Sequence, residues 1–197
     1  TLACRVIDRF TELYEGEKNR RRICDFSDLE HKLCALLYDN DEPSQIARSV
    51  AEEFDYIYVD EYQDINRMQH RIISAISKPN NRFMVGDIKQ SIYGFRGSEP
   101  SIFAGYRREM PLYTDPAAEN ADGVCVFMSE NFRCDKSVID FTNLVCAYIF
   151  EACPDTIGYR EGDDLIHRKI APEGYESPMV TLQITQPADE CEDDEDD

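Results

Sequence analysis

Phe54-Asp55-Tyr56-Ile57-Tyr58-Val59-Asp60-Glu61-Tyr62-Gln63-Asp64 opens as an apolar run and ends in a cluster of acids. Ile57 and Val59 give it the length and β-branched content of a buried strand. The run stops abruptly at Asp60-Glu61, with Gln63 and Asp64 close behind. In open α/β sheets ligands sit at the carboxyl ends of strands, so a strand that delivers two carboxylates to that edge suits nucleotide chemistry. One carboxylate can hold Mg²⁺ and the other can polarise an attacking water. The same residues also suit a plain solvated strand end, and this stretch by itself leaves both readings open.

Two further stretches shift the balance. Arg82-Phe83-Met84-Val85-Gly86-Asp87 is a second short apolar run ending in Gly-Asp, followed at once by Lys89-Gln90-Ser91-Ile92-Tyr93-Gly94-Phe95-Arg96-Gly97. The run Val124-Cys125-Val126-Phe127-Met128 leads into Ser129-Glu130-Asn131-Phe132-Arg133. In this order the three stretches resemble motifs II, III and IV of superfamily 1 helicases of the UvrD/Rep type. The wording VDEYQD, VGDIKQSIYGFRG and ENFR looks most like the AddA-type helicase–nuclease subunits.

The resemblance extends over about Asp25 to Glu151 and implies a set of roles. Asp60 would hold the Mg²⁺ of bound ATP, and Glu61 would be the base for the attacking water. Gln63 and Asp64 would tie that site to neighbouring motifs. Gln90 would sense the γ-phosphate, Arg133 would reach it as an arginine finger from a second lobe, and Phe132 would stack on adenine. Tyr93 and Phe95 would lie against bases of single-stranded DNA, with Arg96 linking their loop to the acidic site. Tyr93, Phe95 and Phe132 also read as ordinary core aromatics. The implied fold is α/β: a partial RecA-like parallel sheet flanked by helices, plus the first elements of a second RecA-like lobe. Residues 1–118 would be the back half of the first lobe, 119–186 the start of the second with an insertion, and 187–197 an acidic disordered tail.

The departures from the pattern matter as much. A phosphate loop needs G-x-x-x-x-G-K-[ST], because glycine amides cradle the phosphates and the lysine neutralises them. None of the nine glycines here is followed by Lys. Nothing resembles motif Ia, V or VI, and no nuclease signature is recognisable. The sequence therefore reads as the middle of a motor, inactive alone. Its partners would be single- or double-stranded DNA, the remainder of the helicase, and a second helicase–nuclease subunit. The other reading is a non-catalytic α/β remnant that binds a protein partner, or DNA weakly. A phosphate loop encoded upstream in frame would favour the first, and a start codon near Thr1 the second. The absence of Met at position 1 points to an excised piece.

Composition sets bounds. The 197 residues carry a formal charge of −19, and eight of the acids lie in Asp189–Asp197, leaving a body near −11. That is the wrong overall sign for a free-standing nucleic-acid binder. Eight cysteines form no C-x-x-C pair and no zinc spacing, as expected of reduced thiols in a cytoplasmic protein. No apolar stretch reaches the ~20 residues of a membrane span, and no signal-peptide pattern is present.

Taken in order, Leu2, Val6, Phe10 and Leu13 recur at helical spacing. Lys18-Asn19-Arg20-Arg21-Arg22 reads as a basic loop. Ser27 and Glu30 suggest a capping box opening a helix whose buried stripe is Leu29, Leu33, Leu36 and Leu37. Asp39–Pro43 is a turn, and Ser44 caps a helix carrying Ile46, Val50 and Phe54. Asn66 and Gln69 cap a helix through Met68, Ile72, Ile73 and Ile76, which Lys78-Pro79 stops. His70, with no second metal ligand in view, reads as a surface histidine. Pro100-Ser101 opens another helix, Met110–Asp122 is a linker, and Val124–Met128 is a strand. The next helix carries Val138, Phe141, Leu144, Val145, Tyr148 and Ile149. Cys153–Pro178 is loop-like, and Met179–Thr185 alternates as a half-buried strand. Helix–strand–helix–strand order implies a parallel sheet.

Overall fold

A computed structural model describes residues 1–152 and 162–183. The chain forms two compact units, Thr1–Val126 and Phe127–Asp197.

In the first unit, α1 (Leu2–Arg21) runs straight through the basic stretch expected to be a loop, closing on Arg22 in the left-handed region at φ 55°. The physical reason is local pairing. Lys18, its side chain only 7% exposed, reaches Glu15 and Asp28 at 2.7 Å and Asp25 at 3.2 Å. Arg20 and Arg21 both pair with Glu17. Cations in a last turn also complement the helix dipole. The apolar stripe of α1 is present, but Leu2, Val6, Phe10 and Leu13 are exposed.

Helix α2 (Phe26–Leu37) is capped by Asp25 and Asp28 rather than by Ser27 and Glu30. Asp25 has the extended backbone that a cap needs, and each carboxylate accepts the other residue's N–H, at 2.8 and 3.0 Å. Of the expected buried stripe only Leu37 is fully buried. A hairpin of β1 (Tyr38–Asp39) and β2 (Glu42–Pro43) follows, its two-residue turn made by Asn40 and Asp41 at φ 49° and 68°. Helix α3 (Gln45–Glu52) is capped by Ser44 as expected, but it buries Ala47 and Ala51 and ends before Phe54. Leu37 and Ala47 meet Ala75, with Tyr38, Ile72 and Ile76 around them, to make the small core.

Strand β3 (Ile57–Val59) leads to a 3₁₀ turn over Tyr62–Asp64 and then to α4 (Arg67–Ala75), which has the expected Asn66–Gln69 capping box. Strand β4 (Arg82–Met84) pairs parallel with β3, in the register Ile57↔Arg82 to Val59↔Met84. The implied parallel pairing is therefore observed, as a two-stranded sheet. Two further 3₁₀ turns, Ile88–Gln90 and Gly94–Arg96, precede α5 (Pro100–Glu109).

The run Val124–Met128 forms no strand. Its ladder contact among the described residues is a bridge of Cys125 to Leu112, because no neighbouring backbone there continues the pairing. In the second unit β5 (Glu130–Asn131) and β6 (Ile166–His167) pair parallel on either side of α6 (Lys136–Ala152). The stretch read as loop thus contains a strand. Asn143 fixes its approach, exchanging two 2.9 Å hydrogen bonds with the Leu165 backbone. Residues 179–183 are not a strand, while Ile184, Thr185 and the acidic tail lie outside the described residues. The expected α6 is present, with Leu144, Tyr148 and Ile149 exposed.

Candidate functional site

The two acid-bearing segments leave neighbouring strands at the same edge. Asp60 and Glu61 follow β3, and Asp87 and Gln90 follow β4. The pairing continues past the strands, with Val85 N–H donating to Val59 O and Tyr62 N–H to Val85 O, both at 2.9 Å. This brings the 3₁₀ turn of Tyr62–Asp64 against the segment from Gly86 onward.

Gln63 is the joint between them, and it is 1% exposed. Its Nε2 donates to Glu61 Oε2 at 2.7 Å and to Asp64 Oδ2 at 3.4 Å. Its Oε1 accepts the Asp87 N–H at 3.0 Å. A Cβ at Gly86 would run into Gln63 Oε1 and crowd the Phe103 ring and the Tyr62 backbone, so any other residue would force the Gln63 amide to shift. Asp87 carries the path onward. Its Oδ1 accepts the Lys89 N–H at 3.0 Å and pairs with Lys89 Nζ at 2.9 Å, and its Oδ2 accepts from Gln90 Nε2 at 3.1 Å. Glu61, Gln63, Asp87 and Gln90 therefore form one hydrogen-bonded line. Asp60 stands at its start, exposed, with Oδ1 accepting the Glu61 N–H at 2.9 Å.

Glu61 occupies the left-handed region at φ 51°, ψ 43°, a conformation costly for a residue with a Cβ. Its neighbour Tyr62 is 0% exposed, packed on Phe103 and Tyr106 with ring centroids 5.5 and 6.2 Å away. Burial pushes the Tyr62 hydroxyl up to about 12. The hydroxyl meets His70 Nδ1 at 3.0 Å, so His70 is half-buried and is not the surface histidine expected. Burial first, then the charge of Arg82, lowers the His70 pKa. On the other side of α4, Glu30 accepts from Asn66 Nδ2 at 3.1 Å and Gln69 Nε2 at 2.8 Å, bracing the cap that follows the acidic turn.

Tyr93 and Phe95 sit beyond Gln90, rings 6.0 Å apart, Phe95 being 78% exposed. The Arg96 guanidinium lies over both rings, at 5.4 and 5.5 Å. Phe132 and Arg133 belong to the second unit, and both are exposed. Asn131 Oδ1 accepts the N–H groups of Arg133 and Cys134 at 3.0 and 2.9 Å, fixing the turn that carries them. Asp135, next in the chain, is held below the usual carboxylate range by Lys169 and then by Tyr175.

Sequence reading missed Lys89, Gly86, Tyr62, His70 and Glu30 as parts of this neighbourhood. The Gly86-Asp87 pair ending a strand was the available signal, while the His70 and Glu30 contacts depend on how α2 and α4 pack.

The family model of the UvrD/REP helicase N-terminal domain matches residues 3–111, more than half of the chain. The chain belongs to the UvrD/REP helicase family. Its curated relatives are named as the A subunit of an ATP-dependent helicase/nuclease. That of Levilactobacillus brevis is 44% identical over 145 residues, covering 72% of this chain and 11% of the relative. That of Pediococcus pentosaceus is 42% identical over 163 residues, covering 81% and 12%. That of Ligilactobacillus salivarius is 34% identical over 196 residues, covering 98% and 15%. The chain thus spans between 11% and 15% of the length of these relatives.

The UvrD/REP family implies ATP and with it Mg²⁺, and the donor set fits. Among the described residues no group of three or more His, Cys, Asp or Glu side chains could cage a metal. Mg²⁺ needs no such cage, because one or two carboxylates, waters and substrate phosphates complete its shell. Exposed Asp60 supplies a hard oxygen at this edge. Asp64 Oδ1 is also buried there, with no hydrogen-bond partner among the described residues. The six described cysteines are free thiols. No helix of the described residues is long and apolar enough to cross a membrane.

Proposed function

We propose that this chain is a segment of the A subunit of an ATP-dependent helicase/nuclease, where it supplies the hydrolytic edge of a RecA-like lobe and the opening of a second. The whole protein would couple ATP hydrolysis to movement along single-stranded DNA in recombination and repair. The observation that carries this is the hydrogen-bonded line Glu61–Gln63–Asp87–Gln90, because it ties a candidate base to a candidate phosphate sensor across adjacent parallel strands.

In this reading Asp60 would hold Mg²⁺, which when bound would supply neutralisation of the charge that develops on phosphoryl transfer. Glu61 orients and deprotonates the attacking water, and Gln63 fixes its carboxylate. Gln90 donates to the γ-phosphate once released from Asp87. Lys89, 2.9 Å from Asp87, offsets acid that would repel a triphosphate. Arg133 completes charge neutralisation and Phe132 stacks on adenine. Tyr93 and Phe95, backed by Arg96, stack on DNA bases. A loop that touches both phosphate and DNA lets hydrolysis move the strand. The missing phosphate loop, the remaining motifs and a second subunit would come from the rest of the protein and its partner.

The test is Glu61→Gln in the full-length protein. The change keeps shape and removes the base, so ATP turnover should be abolished while nucleotide binding, read by fluorescent-analogue titration, stays within a few-fold. Near-normal turnover would show that Glu61 is not the base.

A further inference from the structure

The acidic turn is held from behind by a hydrogen bond that can titrate. Tyr62 lies between Glu61 and Gln63, and its hydroxyl is buried where water cannot replace a lost partner. His70 Nδ1, on α4, is 3.0 Å from it. The imidazole is edge-on to the Tyr62 ring at 6.3 Å and tilted against Tyr106 of α5 at 6.1 Å. Arg82 of β4 stacks on the same Tyr106, 5.5 Å from its ring. The remaining charged neighbours are Arg71 of α4 and Asp41 of the hairpin, which pair with each other at 2.8 Å around an open cavity of about 330 Å³ shared with Tyr38, His70 and Ser74. No carboxylate in this set is therefore left to compensate a positive charge on His70.

Resting on the reading of Glu61 as base, we infer that His70, by accepting the Tyr62 hydroxyl, is a positioning residue for Glu61 and Gln63, and that its protonation sets an acid limit on ATP turnover. Neutral His70 carries its proton on Nε2 and accepts at Nδ1. Protonation turns Nδ1 into a donor, so the phenolic proton must leave for the Tyr106 hydroxyl. It also places a second cation beside Arg82, which can only donate. The bond to Tyr62 is then reversed, with two cations, His70 and Arg82, on one buried hydroxyl, so the rear anchor weakens and Glu61, held in the left-handed region, can relax away from Gln63.

The sign follows from burial. The folded pKa of His70 lies below its ordinary value, so the unfolded chain takes up the proton first as pH falls. In the folded protein the anchor therefore persists through the ordinary histidine range and is lost only below it, as pH falls through the lowered folded value.

The experiment is steady-state ATP turnover by the full-length protein with a single-stranded oligonucleotide, from about pH 5 to about pH 8.5, a window that extends below the ordinary histidine range. Tyr62→Phe keeps the ring and removes the hydroxyl. It should lower kcat about fivefold at neutral pH with KM for ATP within about twofold. His70→Ala should do the same. His70→Gln offers an amide that can take the hydroxyl but cannot titrate, so it should recover part of the His70→Ala loss and flatten the acid limb. An acid limb with unshifted midpoint in His70→Gln overturns the inference, as does a kcat in Tyr62→Phe within twofold of the native value. If Tyr62→Phe fails to fold by circular dichroism, the His70→Gln profile decides alone. A Glu61→Gln control separates the two levels. If that variant turns over normally, the base assignment fails; if it is dead while His70→Gln keeps the native acid limb, only the role of His70 fails.

Discussion

Glu61 shows how much local cost the turn carries. Its φ of 51° would suit glycine, yet a carboxylate stands there, and the 2.7 Å bond from Gln63 holds it. That bond depends on Gln63 being trapped, and Gly86 provides the trap by leaving no Cβ between the two loops. Gly86→Ala should therefore do more than crowd the site. The added methyl must push away Gln63 Oε1, part of the hydrogen-bonded line, or the Tyr62 backbone, whose N–H donates to Val85 O. We expect a stability loss of about 1–3 kcal/mol, by urea denaturation of the full-length protein, as for an overpacked site. ATP turnover should fall about tenfold or more, because Glu61 and Gln90 lose their common tether. Turnover preserved alongside a stability loss would show that Gln63 packs without positioning.

The elements that could be read from sequence were those whose signal is local. Asn66 with Gln69 and Ser44 announce helix starts through side chains that bond their own backbone, and all three do so. The strands before Asp60 and Asp87 were equally visible, as was their parallel pairing. Failures came where a distant partner decides. Lys18-Asn19-Arg20-Arg21-Arg22 looked like a solvated loop because Asp25 and Asp28 meet Lys18 only once α1 and α2 pack, adding to the Glu15 and Glu17 pairs inside α1. Burial would push the Lys18 ammonium down, but the hydrogen bonds it donates to Asp28, Glu15 and Asp25 outweigh that and raise its pKa. In return Lys18 lowers the Asp28 pKa, and the Asp28 backbone with Lys18 lowers that of Asp25. Carboxylates depressed in this way add stability above their unfolded pKa, and it is lost as pH falls through the folded values. Lys18→Met should thus lower the melting temperature by several degrees at neutral pH, with the gap to the native protein narrowing below about pH 4. A gap independent of pH would mean that Lys18 contributes packing alone.

On the scale of the molecule, the faces left uncovered share one property. The apolar stripe of α1, the aromatic row Tyr56, Tyr58 and Phe83 on the β3–β4 pair, and Leu144, Tyr148 and Ile149 on α6 all stand exposed, Tyr58 by 72%. Surfaces of this kind call for cover, and the curated relatives are long enough to supply it, since the chain spans only 11–15% of their length. The same want of neighbours bears on chemistry. Phosphoryl transfer depends on positioning and charge neutralisation, with little covalent help from protein. This sequence has no glycine followed by lysine, so no backbone cradle of that kind holds the β- and γ-phosphates. Asp60, Glu61, Asp64 and Asp87 crowd one edge of a chain at −19, and Lys89 offsets only part of that charge. On the proposed reading Tyr93 and Phe95 would make one wall of a DNA groove, not two. The purified chain should accordingly release no phosphate from ATP and magnesium above a Glu61→Gln control, with or without an oligonucleotide. Release above that control would reveal a phosphate-binding element in these 197 residues that works without the glycine–lysine loop.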